Sequence, residues 1–190
     1  MLDNTTGHSN AVLGTSGLAN NTTGANNSAV GHGAMFDNTT GAQNTALGYL
    51  ALGDNTTAND NTAVGYEALR KNTTGANNTA VGQSALDSAT TASNNTAIGK
   101  DAMEDTSTGA DNTAVGRAAL KANTTGTTNT ALGDAAGFSN TTGSQNVWVG
   151  KSSGVNVTTG GDNTCVGYLA GGDITTGGGN VVLGKTAGNN

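Results

Sequence analysis

One short word, Asn-Thr-Ala-Val-Gly with close variants, returns every 17 residues along the whole chain. Its Asn stands at 10, 27, 44, 61, 78, 95, 112, 129, 146, 163 and 180, with no insertion or deletion between copies. A gapless short period means that one supersecondary unit is built eleven times and stacked, because a single unit cannot bury its own apolar face. The period is too short for a crossover helix, an ankyrin or TPR unit needs about twice the length, and the lattice of a leucine-rich repeat is missing. The reading is therefore an all-β, parallel β-solenoid (a β-roll) of eleven coils, forming a single repeat domain over 1–190.

Numbering each coil from its Asn as positions 1 to 17 sorts the columns by chemistry. Position 5 is Gly in all eleven copies, position 4 is always Val, Leu or Ile, and position 3 is mostly Ala. Position 8 is mostly Ala, and position 9 is Leu or Met from Leu18 to Leu120 and Gly thereafter. The seven basic and thirteen acidic residues occupy only positions 6, 7, 10, 11 and 17. Those five columns are expected in solvent and the other twelve at least partly protected. Composition alone would be ambiguous. Tracts rich in Asn, Thr and Gly with 3% aromatic residues often stay disordered. Here the net charge is only −6 and the apolar residues hold fixed columns.

Within a coil, positions 2–4 and 7–9 read as two short extended stretches. Asn-Thr-Thr-Gly at 12–15 reads as a turn whose Gly takes positive φ. Coils stacked at about 4.8 Å give a rod of roughly 50 Å. Like residues then superpose, and Asn27, Asn44, Asn61, Asn78, Asn95, Asn112 and Asn129 are expected to form a ladder of side-chain amides, as is the Asn often found at position 12. Neighbouring strand residues face opposite ways. Positions 3 and 4 are nevertheless both apolar, and so are 8 and 9. One of each pair fills the coil. The other either meets a second copy along a shared axis, or the Ala of each pair is merely tolerated at the surface. The coils over 137–190 lose the position-9 Leu but gain Val147, Trp148, Val155, Val157, Ile174, Val181 and Val182. This reads as a repacked cross-section and an approach to a different neighbouring domain. The chain starts at position 9 and stops at position 11 of a coil without an evident cap, so its ends are expected either to adjoin other domains or to stack end to end into a filament.

The words Asn61-Thr-Ala-Val-Gly-Tyr-Glu-Ala-Leu69 and Asn72-Thr-Thr-Gly75 resemble repeats of bacteriophage tail-fibre proteins and related bacterial surface fibres. Many of those end in a self-cleaving intramolecular chaperone domain. The Ala-Val-Gly word also resembles the head repeats of trimeric autotransporter adhesins, which form a left-handed parallel β-roll in a three-chain bundle. The resemblance covers the repeat and no chaperone, anchor or distal tip. It implies a left-handed homotrimer, an extracellular, virion or cell-surface fibre, and a function in holding or presenting an attachment surface to a glycan or receptor.

Little else carries chemistry. A sequence pI near 4.5 and the lack of a basic run argue against nucleic acid. No stretch of 18 apolar residues is present for membrane insertion, and the first residues lack the pattern of a secretory signal. Export by lysis, by a non-classical signal or as a piece of a longer chain is then expected. Cys165, the one cysteine, stands in the position-3 column and reads as packing. His8 and His32 fall in different columns and read as solvated turn residues. The segments Gly160–Asp162 and Gly171–Asp173 resemble calcium-binding nonapeptides without their repetition, and the carboxylates at Asp101, Glu104 and Asp105 have no partner base. The expectation is no metal, no cofactor and no catalysis. Phe36, Tyr49, Tyr66, Phe138 and Tyr168 sit in solvent-facing columns, either as contacts for a glycan or receptor or as scattered surface aromatics. The threonine columns also raise binding to an ice-like lattice, although adjacent Thr at 13 and 14 point opposite ways and no flat Thr-x-Thr face is evident.

Overall fold

The computed structural model describes residues 3–189, and over them the chain forms a β-solenoid. Eleven strands of three residues each run from β1 (Ala11–Leu13) through β4 (Thr62–Val64) and β9 (Val147–Val149) to β11 (Val181–Leu183). They lie in chain order in one parallel sheet. Register is set by the repeat: Thr62 pairs with Thr79, Ala63 with Ala80 and Val64 with Val81. Bonding continues around the coil beyond the strands. Leu18 N–H donates to the Ala34 carbonyl at 3.0 Å, and the Thr22 and Thr23 N–H groups both donate to Thr39 O at 2.9 and 3.1 Å. Main-chain bonds to the neighbouring coil thus run around much of the circumference, and the turn closes on itself where position 8, 10 and 12 N–H groups reach back three residues, as Ala51 does to Gly48 and Asn55 to Leu52.

The interior is narrow and lined by small residues. Ala63, Ala68 and Leu69 are buried, and their equivalents stack above and below them into one core along the rod. Asn at positions 1 and 12 is buried among them. Polar groups can sit there because stacking supplies each with a partner one coil away.

Three local expectations are corrected. Positions 7–9 are a turn rather than an extended stretch. Position 7 has φ of 50–65° and position 9 has φ of 46–71° in every coil, including Leu52 and Leu69. Two left-handed residues flanking position 8 break strand alternation, so both Ala68 and Leu69 turn inward and are fully buried. The 8–9 pair therefore leaves no second apolar stripe. The Gly of Asn-Thr-Thr-Gly has no positive φ. The left-handed residue of that corner is position 17, at 56–73°. Position 15 is small for lack of space: a Cβ on Gly126 would abut the Asn123 amide oxygen and the Gly143 carbonyl. Alanine is accommodated there at Ala58 and Ala92. Finally, the position-14 threonines, such as Thr57 and Thr74, are exposed although uncharged. Their N–H groups bond the next coil, which leaves the side chains in water.

The invariant Gly at position 5 answers two demands at once. Its φ is 116–145°, a region closed to other residues. A Cβ on Gly82 would also lie 2.5 Å from the Gly99 carbonyl oxygen and 2.6 Å from its carbon.

The later coils are repacked, as the residue exchanges indicate. Trp148 is fully buried, and its ring occupies the space that position-9 side chains fill upstream. A Cβ on Gly137 would lie 2.5 Å from Trp148 Cε3, and one on Gly154 would collide with the indole Nε1 and Cδ1. Next along the rod, a Cβ on Gly171 would lie 2.6 Å from Cys165 Sγ and 3.2 Å from Ile174 Cδ1. In the first coil Val12 is matched instead by Gly17, where a Cβ would lie 2.8 Å from Val12 Cγ1.

Candidate attachment surfaces

The strand alternates strictly, and that decides which residues the rod presents. Position 3 points in. Positions 2 and 4 point out and form one face along all eleven strands. Position 4 leaves Leu13 71%, Leu47 47%, Ile98 39%, Val115 37% and Leu183 66% exposed, and Val30, Val64, Val81 and Val149 half-buried. Beside this apolar column runs position 2, with Thr45, Thr62, Thr79, Thr96, Thr113, Thr130 and Thr164. Neither column carries a charge. Apolar strips of this length are rarely left exposed on single chains.

The aromatic candidates do not form one site. Tyr49 and Tyr66 share column 6 and stack with centroids 5.2 Å apart and planes 11° apart. His32, read from sequence as a solvated turn residue, extends the stack onto Tyr49 at 5.4 Å and 14°. Its place in the same column was the signal for this. Tyr168 occupies the column six coils beyond Tyr66, roughly 29 Å away at ~4.8 Å per coil. Phe36 and Phe138, 39% and 37% exposed, stand in column 10. Within the stack, ring faces cover one another, so only edges and the two outermost faces remain for a ligand. The Tyr66 hydroxyl has its pKa raised above the ordinary tyrosine value, chiefly by the negative charge of Glu67.

The charged columns mostly tie coil to coil. Arg70 Nε bonds Asp87 at 3.0 Å, Lys71 reaches the same carboxylate at 3.0 Å, Lys121 pairs with Glu104 at 2.9 Å and Arg117 with Asp134 at 3.0 Å. The bond to Asp87 holds the Arg70 pKa above its usual value.

The position-1 amides form a ladder in which the main-chain N–H is the constant member. Asn27 N–H donates to Asn10 Oδ1 at 2.9 Å, Asn44 to Asn27, Asn61 to Asn44, and so on to Asn180. From Asn10 to Asn163 the Nδ2 also closes its own coil, as Asn27 Nδ2 does onto the Gly41 carbonyl at 2.9 Å. From Asn78 onward, through Asn95, Asn112 and Asn129, Nδ2 additionally reaches the preceding Oδ1. At position 12 the amides bond directly, Asn38 to Asn21 at 2.8 Å and Asn55 to Asn38 at 2.7 Å. That ladder stops where Ala89, Thr106 and Val157 intervene, and Asn72 Oδ1 and Asn140 Oδ1 are left buried without a partner. A third ladder runs through position 13, where the Thr39 hydroxyl donates to Thr56 O at 2.9 Å and Thr56 to Thr73 O at 3.0 Å.

Cys165 is buried inside its own rod, and burial pushes its thiol pKa up. It is not on the outward strand face. Among the described residues there is no pocket, no group of three or more His, Cys, Asp or Glu placed to hold a metal ion, and no helix long and apolar enough to cross a membrane. The chain matches no family model, no curated protein and no solved structure with which it was compared.

Proposed function

We propose that this chain is a structural fibre segment, an adhesin-like shaft or head whose copies pack along the strand face and present the remaining surface for attachment. One observation carries the reading: an uncharged strip with an outward apolar column runs the length of a rod otherwise closed by its own hydrogen bonds. Such a strip has little use in water and is well matched to a second rod. Function then arises from length, stiffness and repetition, because many weak contacts along one rod add through avidity. The resemblance of the repeat words to tail-fibre and adhesin repeats supports three chains per fibre and a place outside the cell or on a virion. The edges of the His32–Tyr49–Tyr66 stack are the first place to look for glycan contact.

Light scattering across a concentration series tests this directly. A stable species of three 18.4 kDa chains is the expected result. A folded monomer at every concentration defeats the fibre reading. Replacing Val81 and Val115 by Lys should abolish the assembly with the monomer still folded.

A second reading is favoured by the same face. Columns 2 and 4 place Thr beside Val, Leu or Ile at regular spacing in seven of the coils, a better lattice match than the threonines at 13 and 14. If the chain is monomeric, this array is a surface for ordered water. Thermal hysteresis on the purified monomer tests it, and no freezing-point gap ends it.

A further inference from the structure

The strand face has two unlike edges. Position 17, just before the strand, carries Asp60, Asp111 and Asp162 and no basic residue. Position 6, just after it, carries Lys100, Arg117, Lys151 and Lys185 with a single acid, Asp134. The edges therefore bear net charges of −3 and +3, counted from those same residues. All these side chains are exposed except Asp134, which is partly so.

Resting on the fibre reading, we propose that neighbouring copies pack side by side pointing the same way, the acidic edge of one against the basic edge of the next. The symmetry is simple. Rotation about an axis parallel to the rods brings unlike edges together. Turning one rod end for end brings acid to acid and base to base.

The residue pairing at equal height agrees. Edge residues flanking the same strand are six apart in sequence, so Asp60 of one copy lies level with Tyr66 of the next, Asp111 with Arg117, and Asp162 with Tyr168. Each acid meets a hydrogen-bond donor. Asp134 comes level with Thr128, Lys100 with Asn94, and Lys151 with Gln145, so no level sets like charges together. The Asp111–Arg117 contact would join two existing bonds, Asn94 to Asp111 at 3.1 Å and Arg117 to Asp134 at 3.0 Å, into one chain across the rim. The strip is large enough. Ten strand spacings and about six residues of width give roughly 50 by 20 Å, near 1,000 Å² against the ~800 Å² per partner of a stable interface. Rim charges steer and orient more than they bind, so they select direction while the apolar column holds the copies together.

Polarity is read by a spin label on Thr15→Cys, an exposed column-6 site in the first coil; Cys165 is buried and stays unlabelled. Parallel copies place the labels within about 25 Å, whereas antiparallel ones separate them by about 50 Å along the rod. The charge-reversed variant D60K/D111K/D162K should associate about tenfold more weakly at low salt. Adding K100E/R117E/K151E to it should restore association. An assembly with labels about 50 Å apart overturns the polarity and leaves the fibre reading standing. Charge reversal without effect overturns the role of the edges. A monomer at every concentration overturns both.

Discussion

A glycine or an alanine in this rod is placed by the coil above it as much as by its own turn. Gly65→Ala is a sharp test, since φ is 139° and the new Cβ would abut the Gly82 carbonyl. Backbone strain of this kind costs on the order of 1–3 kcal/mol before the clash is counted, and a lowered urea midpoint is the expected readout. Trp148 offers a more discriminating experiment. Trp148→Ala should destabilise by about 3–5 kcal/mol through the cavity it leaves. Gly137→Leu and Gly154→Leu, each harmful beside the indole, should be beneficial once the ring is gone. Leucine is already accepted at position 9 with φ near 53° in Leu52 and Leu86, and the triple variant rebuilds the upstream cross-section. Urea unfolding of the singles and the triple measures the coupling. Additive losses would mean that the glycines are not answering the tryptophan.

Between neighbouring coils the stabilising element is the column. Each ladder is strongest where it is uninterrupted, because every buried acceptor then has a donor one coil away. Asn72 Oδ1 lacks one because the next coil offers Ala89. Ala89→Asn should supply an amide to Asn72, donate onward to the Ala92 carbonyl as Asn55 does to Ala58, and stabilise the rod by about 1 kcal/mol. Thermal unfolding checks it, and a loss of stability would show that the cavity around Ala89 cannot hold an amide. A change at position 1, Asn78→Ala, keeps the main-chain N–H bond to Asn61 but removes the Nδ2 bonds to the Ala92 carbonyl and Asn61 Oδ1, together with the Oδ1 that accepts from Asn95 N–H. It should cost about 1–3 kcal/mol for the groups it strands.

Because each coil touches only its neighbours, the rod should behave as a chain of coupled units rather than a single cooperative block. A lesion in a middle coil, such as Gly65→Ala, is expected to raise amide exchange in the flanking coils while β9 to β11 stay protected. Uniform acceleration along all eleven strands would contradict this. In the proposed fibre the same lesion should spread less, since neighbouring chains would hold the strand face across the weak coil.

The period, the solenoid, the position-5 glycine and a repacked cross-section where Gly replaces Leu at position 9 were legible in the residues; that position 3 rather than 4 points inward, and that Trp148 fills the space beside Gly137 and Gly154, was not. The legible features follow from repetition and side-chain volume, which any stacked arrangement must respect. The amide columns were legible too, but not their wiring: whether Oδ1 meets a main-chain N–H or an amide depends on sub-ångström coil geometry. What only the tertiary structure decided lies at positions 7, 9 and 17. Left-handed φ at Leu, Ser or Asn carries no reliable mark in sequence, since ordinary residues resist it and accept it here because the stacked coils hydrogen-bond the turn on both sides. That one conformational choice buries both Ala68 and Leu69, removes a second apolar stripe and leaves a single outward face. The stack of His32, Tyr49 and Tyr66, by contrast, follows from their shared column 6, and Phe36 and Phe138 stand apart in column 10. Periodicity thus determined what stacks on what. The sense of each turn, which is set by contacts between coils, determined what the rod shows to water.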